Sequence, residues 1–371
     1  MNRDSFFKVL EAQYSNQLPF VVYSRPINST IKCWLQKDDT LHRTKTFTES
    51  GFVFAPFDFK NESIVLPEAE CHHYVLEINN LEEHDSTTHS IIASTNKNEH
   101  INLVSKGIET IENGSLKKVV LSRYETKELS ITNPLSIFKK LYSNYSNAMV
   151  YCWYHPKVGL WLGATPELLF KAEGKQLTTI SLAGTQPFNS NAECIWTIKE
   201  IEEQQIVTDY ITKQIKPYTE HINVSEVETV KAGNLLHLKS RITSLINEST
   251  NLKSIIEALH PTPAVCGFPK QDAKEFILKN ESYNREYYTG FLGELNLRNT
   301  KTRNSNRRNV ENNAYAVVKT QSNFYVNLRC MQLKENRALI YVGGGITKDS
   351  NPENEWEETI NKTATINKVL S

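Results

Sequence analysis

The strongest constraint on this chain is a run of strand-like segments with no helix between them. After a short helical N-terminus come PFVVYS from Pro19, IKCWLQ from Ile31, GFVFAPF from Gly51 and a mixed stretch around YVLEI from Tyr74. Their alternation and aromatic content suit sheet with one buried face, broken by polar turns. Further along, extended and helical segments mix without the regular strand–helix repeat of a doubly wound fold, and the glycines form neither a GxGxxG nor a P-loop pattern. There is no short internal repeat. The pattern predicts an α+β fold with large, mostly antiparallel sheets.

At 371 residues the chain can bury a large core. Lysine plus arginine equals aspartate plus glutamate at 42 each, so overall charge points to neither nucleic acid nor a membrane, and any anionic ligand must be recognised locally. Cys33, Cys71, Cys152, Cys194, Cys266 and Cys330 are scattered without a CxxC pair, which fits reduced thiols better than disulfides or zinc. With no apolar leader at the N-terminus and no long apolar run, a cytoplasmic location is expected. His72, His73, His84 and His89 match no metal spacing and read as exposed loop histidines. The polar, basic stretch from Asn299 to Asn313 reads as an exposed hairpin excursion.

Several positions carry chemistry worth placing. Lys118, in LKKVVLSR, stands at the mouth of a short apolar strand, a setting in which an amine can become reactive, although a solvated strand end uses the same residues. Glu167 lies between a proline turn and apolar residues, where burial would favour its protonated form. LTTISLAGTQP reads as a strand ending at Gly184 and Thr185. From Asn189 a long helical pattern carries Glu200 and Glu203, with Trp196, Ile206, Val207, Tyr210 and Ile211 supplying an apolar side. His237 interrupts an apolar segment, where the pattern alone favours a satisfied core residue over a ligand-facing one. HPTPAVCGFP reads as a rigid connection. FYVNLRCMQL and RALIYVG read as two strands, with Arg329 offering a fork suited to a carboxylate.

The C-terminal stretch YVGGGITKDSNPENEWEETINK adds Gly343, Gly344 and Gly345, then Ser350, Asn351 and Pro352 at a helix start. Glu355, Glu358 and Lys362 follow at spacings that put them on one helical face. Backbone without side chains beside a carboxylate face suits an anionic ligand bridged by a cation.

Seven ordered segments, KVVLSR, GATPELL, SLAGT, HPTPAVCGFP, NREYYTGFLG, LRC and YVGGGI…NPENEWEETINK, together closely resemble the chorismate-utilising enzymes. The resemblance runs from about Ile101 to the C-terminus. It implies one catalytic domain over 1–371, in which 1–100 is the less typical part and 101–371 the family core. It also implies an Mg²⁺-dependent site for chorismate. By motif matching, Glu203 and Glu358 resemble the metal-binding carboxylates, with Glu200 and Glu355 behind them. Arg329, Gly343, Gly345 and Lys362 resemble the set that binds the substrate's carboxylates, Gly184 and Thr185 the wall beside its ring, and His237 a histidine near its reacting end. Magnesium would bridge the dianionic substrate to the glutamates.

Two positions narrow the reaction. Lys118 resembles the water-activating base of isochorismate and salicylate synthases, where anthranilate synthases place a glutamine. Ala183 stands where aminodeoxychorismate synthases commonly carry a nucleophilic lysine. Glu167 resembles the acid that protonates the departing 4-hydroxyl. Water is therefore the implied nucleophile, with no amidotransferase subunit and a monomer expected. The chain looks closest to isochorismate synthase, with salicylate synthase the alternative and a catalytically silent chorismate-binding protein more remote. It departs from the dedicated enzymes at Glu294, where they often have tryptophan, and in the length of the excursion after Asn299.

Overall fold

The computed structural model describes residues 1–78, 97–129, 133–188, 194–232, 235–301 and 317–370. Helix α1 (Arg3–Ser15) precedes β1 (Phe20–Ser24), β2 (Thr30–Gln36), β3 (Arg43–Thr44), β4 (Gly51–Ala55), β5 (Ser63–Pro67) and β6 (Cys71–Glu77). Then come α2 (Lys97–Glu112), β7 (Lys118–Glu128), α3 (Pro134–Asn144), β8 (Met149–His155), β9 (Gly159–Thr165), β10 (Leu168–Glu173), β11 (Gln176–Pro187) and α4 (Ile198–Ile215). The chain continues through β12 (Thr219–Val224), β13 (Glu228–Ala232), β14 (Leu235–Ile246), α5 (Leu252–Leu259), β15 (Gly267–Phe268) and α6 (Lys270–Asn280). It closes with β16 (Phe291–Lys301), β17 (Val317–Val326), β18 (Cys330–Lys334), β19 (Arg337–Ile346) and α7 (Pro352–Asn367).

Among the described residues these strands form two sheets, of nine and ten strands, and every pairing is antiparallel. The nine-stranded sheet runs β15-β7-β19-β18-β9-β8-β1-β2-β6, and the ten-stranded one β12-β14-β11-β10-β17-β16-β4-β5-β3 with β13 also on β14. The α+β reading therefore holds. The first hundred residues supply strands to both sheets. His72 and His73 are exposed as expected but sit on β6 rather than a loop, while His84 and His89 lie outside the described residues.

An aromatic core joins the facing sides of the sheets: Phe54 stacks on Trp153 at 4.5 Å and on Tyr287 at 4.3 Å, and Trp161 stacks on Tyr341 at 5.3 Å. Helices cover the outer faces, α1 and α3 on one sheet, α4 and α5 on the other, with α2 and α6 closing over β7. Glu294 explains its departure here. It is buried, and accepts from Tyr23 (2.6 Å), Lys32 (2.9 Å) and Asn323 (2.9 Å), tying one sheet to the other through charge. No helix among the described residues is long and apolar enough to cross a membrane.

Two neighbouring chain segments pass from one sheet to the other side by side. β9 belongs to the nine-stranded sheet and β10 to the ten-stranded one, so the chain crosses at Pro166 and Glu167; β17 and β18 cross in the opposite direction at Asn327 to Arg329. FYVNLRCMQL is thus two strands, not one. Arg329 makes the break, with a left-handed φ of 46° that a continuous strand cannot hold. Because β18 pairs with β9 and β10 pairs with β17, the two crossings lie together.

Two other expectations change. The strand RALIYVG does not stop at Gly343: it runs through all three glycines to Ile346, and each of them pairs with β7. HPTPAVCGFP contains a short strand, β15, set against Val119 and Lys118. Of the excursion, Asn299 to Lys301 belong to β16 and the rest lies outside the described residues.

Candidate active site

The paired crossings bring Glu167 and Arg329 together, and Lys118 joins them. Glu167 is half-buried, and the protein packed around it pushes its carboxyl up to about 7 against the opposing pull of Lys118 and Arg329. The Arg329 side chain is open to solvent on one side, yet crowding lowers its guanidinium from the ordinary value while Tyr145 and Glu167 raise it. A group that is both crowded and accessible is placed to meet a ligand. Tyr145, at the end of α3, and Tyr288, buried between the sheets, were not singled out by sequence; both are ordinary core aromatics by pattern, and only the fold brings them to Arg329 and Glu167.

Lys118 opens β7, and the residues around it explain two motifs. Arg285 of NREYYTGFLG is fully enclosed and donates to Val120 O (2.7 Å), Val265 O (3.0 Å) and the Glu281 carboxylate (2.7 Å), locking β7 to the HPTPAVCGFP segment. Across the ladder, Gly345 pairs with Val120, and a Cβ there would come 2.9 Å from Lys118 Cε. The missing side chain is the space the lysine occupies. Gly343 faces the same way, toward the Tyr288 hydroxyl, whereas Gly344 faces α7, where a Cβ would come 3.2 Å from Glu355 Oε2.

On α7, Asn351 caps the first turn and Pro352 begins it, as the sequence predicts. Glu358 pairs with Lys362 at 2.6 Å, and Lys362 Nζ donates to Gly343 O at 3.0 Å, so this face is tied to β19. Burial raises the Glu355 carboxyl, with Glu358 adding to the shift and Ser350 and Lys362 opposing it; its Oε2 is buried without a hydrogen-bond partner.

On the opposite sheet, β11 continues past Gly184 to Pro187, which corrects the expected strand end. The register shifts at Gly184, whose φ of 72° forms a bulge and where an added Cβ would come 3.1 Å from Glu200 O of α4. Thr185 pairs through its backbone with His237, and His237 Nδ1 lies 3.3 Å from Gly184 O. Burial lowers the imidazole, and Arg329 lowers it further, so His237 belongs to the same electrostatic neighbourhood. Helix α4 starts at Ile198, not near Asn189: Thr197 caps it in a reciprocal box with Glu200, which leaves Trp196 outside the helix, and residues 189–193 are outside the described set. Its buried stripe is Gln204, Thr208, Ile211 and Ile215, so Ile206 is exposed, contrary to expectation. Gln204 Nε2 lies 3.0 Å from both Thr208 and Ser240 hydroxyls, seating the helix through polar contacts that a search for apolar periodicity misses.

The predicted residues thus fall into a crossing group (Lys118, Glu167, Arg329, with His237 nearby), an α7 group (Glu355, Glu358, Lys362) and an α4 group (Glu200, Glu203). Glu200 is engaged by its cap, and Glu203 and Glu358 are exposed. Among the described residues no three His, Cys, Asp or Glu side chains are gathered to hold a metal. The α7 pair nevertheless offers an all-oxygen donor set suited to a hard cation: the orphaned Glu355 oxygen lies beside the Glu358 carboxylate, whose charge Lys362 partly offsets. A separate cavity of about 270 Å³ is lined by His100, Lys106, Ser122, Arg123 and Tyr283 among others, and none of the predicted residues lines it.

Two family profiles match the chain, both described as chorismate binding enzyme, one over residues 61–301 and the other over 314–368. Isochorismate synthase DhbC of Bacillus subtilis is 27% identical over 340 residues, covering 85% of this chain and 79% of that protein. Isochorismate synthase MenF of Escherichia coli is 29% identical over 279 residues, covering 72% and 59%. The solved structure of E. coli MenF, the menaquinone-specific isochorismate synthase, superposes with a TM-score of 0.75 at 22% identity, covering 95% of this chain and 89% of that one. Anthranilate synthase component I of Streptococcus pneumoniae shares the fold at a TM-score of 0.64 and 17% identity, covering 94% and 89%.

Proposed function

Because the chain belongs to the chorismate-binding enzyme family, we propose that it is an isochorismate synthase, adding water at C2 of chorismate with migration of the double bond and loss of the C4 hydroxyl. The observation that carries this reading is the Glu167 carboxyl, pushed up to about 7 within electrostatic reach of Lys118 and Arg329. At neutral pH roughly half of such a carboxyl holds its proton, which makes it a competent donor to a departing hydroxyl.

In this mechanism Arg329 and Lys362 hold the substrate's carboxylates, with the backbone at Gly343 and Gly345 closing around them. Lys118, in the space left by Gly345, takes a proton from the attacking water and must be neutral to do so. Glu167 donates its proton to the C4 oxygen, and the leaving group departs as water. His237 and the bulge at Gly184 and Thr185 line the ring. Mg²⁺, held by Glu203 and Glu358 with Glu200 and Glu355 behind them, would neutralise substrate charge and fix a carboxylate. Substrate and product are isomers, so the reaction should be reversible. Water as nucleophile needs no amidotransferase subunit, and residues 1–371 act as one catalytic domain.

The test is incubation with chorismate and Mg²⁺, resolving isochorismate, salicylate, pyruvate and anthranilate by chromatography. Isochorismate without pyruvate is expected. Equal salicylate and pyruvate would establish a salicylate synthase, and binding without turnover a silent chorismate-binding protein.

A further inference from the structure

We infer that Thr165 is a positioning residue that sets Glu167 against Arg329 through a hydrogen-bonded clasp at the paired crossings. The inference rests on the proposed reading of those two side chains as proton donor and carboxylate clamp. Thr165 ends β9 fully buried. Its hydroxyl donates to Val326 O at 2.6 Å and accepts from the Glu167 N–H at 3.3 Å, so one oxygen spans both crossings. Two backbone bonds complete the clasp, Val326 N to Glu167 O at 2.9 Å and Ala164 N to Arg329 O at 3.1 Å. Beside it, buried Asn327 accepts from the Tyr151 hydroxyl at 2.6 Å and donates to Tyr287 O at 2.8 Å, which fixes the turn leading into the left-handed Arg329.

The strand itself does not require this hydroxyl. Valine has nearly the same shape and a better strand preference, but it can neither donate nor accept. What the hydroxyl adds is a bond to the peptide of Glu167 and a bond to the segment that delivers Arg329. Thr179 provides the contrast: equally buried on β11, it spends its hydroxyl on Leu169 O at 2.7 Å and touches neither crossing.

The experiment compares Thr165→Val, Thr165→Ser and Thr179→Val in the full chain. Each valine variant should lose thermal stability to a similar degree. Only Thr165→Val should also lose kcat, by about tenfold or more, as expected when a reacting group is misplaced by a fraction of an ångström to an ångström. Its alkaline limb should move about one pH unit lower as water reaches the loosened carboxyl. Thr165→Ser should follow the wild type in kcat and pH profile. A Thr165→Val enzyme that behaves like Thr179→Val overturns the inference, as does a Thr165→Ser enzyme with a displaced profile; the serine variant decides the matter if the valine variant does not fold. Titration of the Glu167 carboxyl by ¹³C NMR makes the same comparison without turnover. A wild type inert toward chorismate would therefore defeat the proposed function, whereas an unmoved Glu167 titration in Thr165→Val would defeat the clasp.

Discussion

The crossing group and the carboxylates of α4 and α7 are built on opposite plans. Glu167 and Arg329 sit at backbone crossings stitched by buried hydrogen bonds, so their positions are set once the two sheets pair. Glu203, Glu358 and Lys362 project from helix surfaces into water, and a 2.6 Å ion pair is what links the last two. The contrast teaches that folding alone organises the proposed proton-transfer half of the site. The proposed cation-binding half is looser, carried on exposed helix side chains, with Glu358 held by its ion pair to Lys362.

The sharpest way to break this comparison is to remove the chemistry from the ordered half. Lys118→Ala and Glu167→Ala should each cost about 10²–10⁴ in kcat, with a much smaller change in the KM for chorismate. Steady-state kinetics at saturating Mg²⁺ checks this, and wild-type turnover in either variant would remove that residue from its role.

The next effect belongs to the loose half. Glu358→Gln and Glu203→Gln should raise the Mg²⁺ concentration for half-maximal activity by about tenfold or more, and chelation should abolish turnover reversibly. Melting temperatures without metal should barely move, because both side chains are exposed. In the wild type, added Mg²⁺ should raise the melting temperature, and Glu355→Gln should blunt that rise.

A pH experiment separates the halves by stability. The folded Glu167 carboxyl titrates near 7, above the ordinary carboxylate range, so its burial is penalised as it ionises. That penalty is absent below the unfolded pKa, grows as pH rises toward 7 and is complete above it. Glu167→Gln should therefore be more stable than wild type by on the order of 1–3 kcal/mol at pH 8, with the gap closing by about pH 4–5. Denaturant melts at the two pH values test this, and a pH-independent gap would contradict it.

The smallest effect is expected from the ion pair on α7. Lys362→Met should change unfolding free energy by under about 1 kcal/mol, since exposed pairs contribute little, while raising the KM for chorismate by about tenfold. A large stability loss without a KM effect would assign Lys362 to the scaffold.

Much of this molecule was legible in sequence. The apolar strands of the first hundred residues follow local alternation, and Asn351-Pro352 announces α7. Residues such as Lys118 and Glu167 were found through motif resemblance, because each by itself is an unremarkable strand end or turn carboxylate. What stayed hidden depends on pairing between distant segments. FYVNLRCMQL has the pattern of one strand, and nothing local says that Arg329 turns left-handed to enter a different sheet. Gly184 looks like a strand end until β14 shows the register shift, and Ile206 looks like core until Gln204 and Thr208 take the buried stripe. Thr165 carries no chemical signature, since hydroxyls at strand ends are common.

The crossings also decide where the polypeptide tolerates being opened. A split or circularly permuted chain cut at Pro166 or Leu328 would place a free end beside the Glu167 carboxyl or the Arg329 guanidinium, and reassembly of the fragments would have to rebuild both. The turn at Glu335 and Asn336 joins β18 to β19 within one sheet and is exposed, so new termini there would leave both passages intact.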